Sequence, residues 1–91
     1  MITIFGHHGV TDYDTWKKFF DAIPEEHYAK YKIVGTNVYR TPDGSAVIVL
    51  HTFNTLEDAQ THKQMMESAP PAPYEEIGII PPLTYWIAEE V

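Results

Sequence analysis

Cysteine is absent from this chain of 91 residues. That excludes disulfides, thiolate nucleophiles, and zinc or iron–sulfur sites built on cysteine. It fits a reducing compartment. Basic residues are scarce: six lysines and arginines stand against thirteen acids, for a net charge of −7, and Arg40 is the sole arginine. Such a field repels phosphate backbones, so nucleic acid is not expected as a partner. No apolar run approaches a membrane span. The N-terminus lacks the basic, apolar and small-residue pattern of a signal peptide. The expectation is a cytoplasmic protein without a membrane partner.

Other chemistry is missing too. There is no glycine-rich phosphate loop and no Gly-x-Gly-x-x-Gly dinucleotide fingerprint. Ser45 and Ser68 sit in turn and helix-end settings, not in a nucleophile context. No pair of acids reads as a buried acid/base couple. Glu57 and Asp58 belong to a helix start, where the helix dipole accounts for them.

What is present is a globular composition, 44% apolar and 13% aromatic, too rich for a disordered chain. Its length makes one domain, residues 1–91. A chain this short often gains stability by oligomerising.

Residues 2–8 read as a strand ending in His7 and His8. Thr11 or Asp12 caps a helix whose apolar face is Tyr13, Trp16, Phe20 and Ile23. Pro24 opens a second short helical piece over 24–31. Thr36 to Thr41 reads as a strand, Pro42-Asp43-Gly44 as a hairpin turn, and Ala46 to Phe53 as the next strand. That third strand is apolar without alternation, as expected where both faces are buried. Asn54 or Thr55 caps a helix with an inward stripe of Leu56, Ala59, His62 and Met66. A proline-rich segment over 70–82, either lid or rigid crossover, leads to a last strand, Leu83 to Glu89.

The order βαββαβ folds most simply as a four-stranded antiparallel sheet with the helices on one face, an α+β ferredoxin-like arrangement. The first and third strands then lie together at the centre. The other sheet face needs cover, and a second copy of the sheet supplies it. A homodimer follows from the pattern.

Neutral imidazole moves protons near neutral pH, and adjacent strand residues face opposite ways. Only one of His7 and His8 can therefore face the helices, and His8 is the candidate catalytic acid/base. Tyr13, Trp16, Phe20 and Met66 make an apolar wall for a small-molecule cleft. Tyr85 and Trp86 face opposite ways, and Trp86 is counted with the cleft. If the first and third strands run parallel, His51 joins His8 at one end of the sheet, and His62 projects into the same sector. Three imidazoles would suit a metal ion. The spacing contains no local ligand motif, so neither metal nor cofactor is expected. Arg40 reads as a carboxylate clamp or a surface partner of Asp43.

The run His8-Gly9-Val10-Thr11-Asp12-Tyr13-Asp14-Thr15-Trp16-Lys17, the apolar strand before Leu56-Glu57-Asp58-Ala59, and the closing Gly78-Ile79-Ile80-Pro81-Pro82 leading to Ala88-Glu89-Glu90-Val91 resemble a family. It is that of the small dimeric α/β-barrel proteins, cyclase-like or antibiotic-biosynthesis-monooxygenase-like. The resemblance runs nearly end to end. It implies a ferredoxin-like monomer, a sheet-to-sheet dimer, and a cleft between sheet and helices. The fold hosts many reactions, among them cofactor-free oxygenation and cyclisation of aromatic or polyketide-like substrates. A non-catalytic dimer that binds a small ligand is the alternative. Haem degradation would need a histidine late in the second long helix, which is lacking. Many relatives carry arginine just before the motif histidine, where this chain has His7.

Overall fold

The computed structural model describes residues 1–69 and 73–91. Among these, the elements are β1 (Ile2–Val10), α1 (Tyr13–Asp21), α2 (Glu25–Lys30), β2 (Gly35–Arg40), β3 (Ala46–Phe53), α3 (Leu56–Ser68) and β4 (Ile79–Glu89). The four strands form one sheet in the order β2-β3-β1-β4, and every neighbouring pair is antiparallel. The expected α+β ferredoxin-like architecture is present, with β1 and β3 at its centre.

Local chemistry explains the helix starts. Asp12 is the N-cap of α1, accepting from the Asp14 amide at 3.1 Å and from the Thr15 hydroxyl at 2.8 Å. Thr55 caps α3 by accepting from the Asp58 amide at 3.1 Å. Asp43 ties the β2–β3 turn by accepting from the Thr41 and Ser45 hydroxyls.

Both long helices cover one face of the sheet. Trp16 of α1 packs with Val10, Val47, Val49 and Ile79, and Ala59 of α3 packs with Ile4 and Phe53. Strand alternation then puts Phe5, His7, Ile48, Leu50, Tyr39 and Trp86 on the opposite face. There Tyr39 is 56% and Trp86 53% exposed. The third strand is therefore apolar on both sides, as its sequence reads.

Some expectations need correction. β1 and β3 are antiparallel, so His51 pairs with Ile4 while His8 pairs with Val47. The two histidines share a face but sit toward opposite ends of it. β4 begins at Ile79, four residues early, because as an edge strand it tolerates prolines that cannot donate to a ladder. Its register shifts between His7 and Gly9, opposite the segment holding Pro81 and Pro82. This strand structure also removes residues 79–82 from any lid, while residues 70–72 of that reading lie outside the described residues. Leu56 is 48% exposed rather than part of the inward stripe of α3.

Candidate functional site

A cleft of about 670 Å³ lies between the inner sheet face and the helices. Its floor comes from alternate residues of β1: Ile4, Gly6 and His8. Gly6 keeps the floor low, since a Cβ there would sit 3.3 Å from the Tyr85 ring. The Trp16, Phe20 and Met66 side chains reach the cleft from α1 and α3. Gly78 docks the β4 lead-in on α1. It has φ +78°, and a Cβ there would meet the Asp12 carbonyl oxygen at 3.2 Å.

His8 is 7% exposed and stands edge-on to Trp16, ring centres 5.6 Å apart. Burial holds its pKa below the ordinary value, against a smaller opposing effect of its hydrogen bond to the Gly9 carbonyl. That hydrogen bond, 2.8 Å from Nδ1, determines the tautomer. A carbonyl can only accept, so Nδ1 carries the proton and Nε2 the lone pair. His7, one residue earlier, faces the other side of the sheet.

Aromatic rings connect His8 to the far end of the cleft. Trp16 stacks on Phe20 at 5.0 Å, and Phe20 faces His51 at 6.5 Å. There a second histidine group begins. His51 and His62 lie 5.6 Å apart and nearly perpendicular, and His27 of α2 lies 6.0 Å from His62. Burial pushes His51 and His62 down to about 4, with neighbouring imidazoles adding to the effect, so both are neutral at pH 7. His27 is lowered as well, first by burial and then by Lys30. The His51 Nδ1 pairs with the Thr36 hydroxyl at 3.0 Å. A hydroxyl can donate or accept, so this contact leaves either tautomer of His51 open. No group of three His, Asp or Glu among the described residues is placed to hold a metal ion.

Of the residues singled out from sequence, His8, Trp16, Phe20, His51, His62 and Met66 line the cleft. Two do not. Tyr13 packs beside Trp16 at 5.9 Å and under the Arg40 guanidinium at 4.7 Å, outside the cleft lining. Arg40 thus meets an aromatic face, and among the described residues no ion pair between it and Asp43 is present. Trp86 pairs with Phe5 across β1–β4 and faces away from the helices, so Tyr85 is the β4 aromatic in the cleft. Sequence reasoning passed over His27. Its only signal is the spacing of four to Tyr31, the C-cap of α2, and Tyr31 also approaches His62, at 5.3 Å.

No family model matches the chain, and no curated protein does. Solved structures do. A Nitrosomonas europaea protein provisionally described as an antibiotic biosynthesis monooxygenase superposes with a TM-score of 0.67 at 14% identity, covering 100% of this chain and 99% of that one. A monooxygenase of Streptomyces coelicolor in complex with nanaomycin D gives 0.65 at 12% identity, covering 99% and 87%. A dimeric ferredoxin-like protein from an uncultured marine organism gives 0.63 at 10% identity, covering 99% and 97%. What these likenesses establish is the fold: the chain is built as a ferredoxin-like α+β domain, similar end to end to antibiotic-biosynthesis-monooxygenase-like and dimeric ferredoxin-like structures.

Proposed function

We propose that this chain is a small homodimeric enzyme of the cofactor-independent oxygenase or cyclase type, acting on a small aromatic or polyketide-like molecule in the sheet–helix cleft. The observation that carries the reading is the tautomer of His8: Nδ1 is committed to the Gly9 carbonyl, and Nε2 is left as a base on the cleft wall beside Trp16. A neutral imidazole of this kind takes a proton from a phenol or an acidic carbon. The resulting enolate either closes on a carbonyl, with the proton returned to the product, or reacts with O2. In the second case one phenol and one O2 give one quinone and one water. Trp16, Phe20, His51, His62 and Met66 surround the ligand. The Streptomyces coelicolor structure holds a ligand, nanaomycin D, on the same fold. The apolar outer face with Trp86, Tyr39 and Leu50 supports sheet-to-sheet pairing.

Oxygen uptake with a panel of naphthols tests the proposal. Turnover that falls about 10²-fold or more in His8→Ala is the expected result. Turnover unaffected by that substitution refutes the role of His8. Tight binding without turnover of any compound in the panel would favour the non-catalytic binding module.

A further inference from the structure

The second histidine group has no part in the proton transfer assigned to His8. Its three rings come from three separate elements, α2, β3 and α3, and all line the cleft. They meet edge to face, and no hydrogen bond among the described residues joins one ring to another. His62 is only 2% exposed, and its Nδ1 has no hydrogen-bond partner. Leaving such a nitrogen unpaired in the interior is costly, and a buried orphan of this kind points to an absent partner. The described lining of the cleft includes Glu67 but no lysine or arginine, and Lys30 acts on His27 from outside that lining. Neutral imidazoles without a cation suit a neutral hydroxyl or carbonyl oxygen better than a carboxylate or phosphate.

We infer that His27, His51 and His62 form a hydrogen-bonding subsite for a ligand oxygen at the far end of the cleft, so that the cleft selects planar aromatic molecules carrying an oxygen at each end. The inference rests on the cleft being the ligand site proposed above. The register gives the backbone separation of the two poles. His51 pairs with Ile4, four residues from His8, or about 13 Å along a strand. Allowing about 2.8 Å for each hydrogen bond leaves on the order of 7 Å between the two ligand oxygens. That is the span of a fused bicyclic diol or hydroxyketone with its hydroxyl at the His8 end, and Trp16 and Phe20 line the path between the poles. The free choice of His51 tautomer lets this end donate to a carbonyl or accept from a hydroxyl, whereas His8 only accepts.

Calorimetric titration with 2,6-dihydroxynaphthalene and with 2-naphthol tests this. The unmodified protein is expected to bind the diol about fivefold or more tighter, the worth of one added hydrogen bond. His51→Phe and His27→Phe each keep a ring but remove its nitrogens, and should bring that ratio toward one while 2-naphthol still binds. Circular dichroism establishes that each variant is folded. If His51→Phe does not fold, His27→Phe, on the less buried α2, decides. Equal binding of the two probes by the unmodified protein overturns the subsite but leaves the cleft as a ligand site. A diol preference that survives in the folded variants overturns it as well. Failure of both probes to bind overturns the ligand-site reading and the subsite with it.

Discussion

The imidazoles of His51 and His62 meet nearly at right angles, 5.6 Å apart, one from the central strand β3 and the other from the helix above it. Two neutral rings pack here as apolar groups would. The same pair carrying charge would repel itself in a desolvated setting, which makes this contact a pH-dependent part of the core.

Both histidines titrate at about 4, below the ordinary 6.5, so unfolding takes up protons between those values. Stability is therefore full above about pH 6.5 and falls as the pH drops toward 4. His8 and His27 are lowered too and act in the same direction. Asp43, held near 2 chiefly by its hydrogen bonds to Ser45, acts only below this window. The slope approaches about 1.4 kcal/mol per pH unit for each fully titrating histidine. Urea midpoints at pH 7.5 and pH 5 measure it. A midpoint that holds or rises on acidification contradicts the assignment.

Trp16 joins the core to the cleft. At 2% exposure it packs with Val10, Val47, Val49 and Ile79, and its ring touches both His8 and Phe20. Trp16→Ala should cost about 3–5 kcal/mol, the range for emptying a large aromatic site. Trp16→Phe should cost clearly less. Denaturant melts followed by far-ultraviolet circular dichroism compare the two, and equal losses would argue against ring packing as the source.

Gly78 should not tolerate alanine. Its φ of +78° disfavours any side chain, and the added methyl would press on the Asp12 carbonyl oxygen and, at 3.3 Å, on the Trp16 amide nitrogen. The cost should be about 1–3 kcal/mol. Because both contacts lie at the start of α1, weaker ligand binding should accompany the loss of stability. A thermal melt unchanged from the parent would show that the loop moves aside freely.

Trp86 and Leu50 test the proposed dimer. Both face away from the helices, and Trp86 is 53% exposed in the monomer. A Trp86→Glu, Leu50→Glu double variant places two charges on that face and should yield a folded monomer. Light scattering coupled to size exclusion reads the mass. A parent protein that runs as a monomer at micromolar concentration would rule out the sheet-to-sheet pairing.

Much of the fold could be read from the residues. The β3 strand, Ala46–Phe53, has its expected ends because an aspartate–glycine turn and a capping threonine bracket it. The β4 start could not be read, since proline argues against strand except on an edge, and edge position is a property of the assembled sheet. Within the candidate site, strand alternation places His8 and Ile4 on one face whatever else happens. Which of Tyr85 and Trp86 shares that face depends on pairing register, and one residue of slip exchanges them.

The sequence by itself determined the period-two alternation, the helix caps and the apolar third strand, because each is set by residues near one another along the chain. The tertiary structure alone decided where the histidines meet. Antiparallel pairing of β1 with β3 carried His51 away from His8, and the docking of α2 and α3 brought His27 and His62 to it. The adjacent pair His7–His8 thus separates across the sheet, while a histidine trio with no sequence motif assembles at the far end of the cleft.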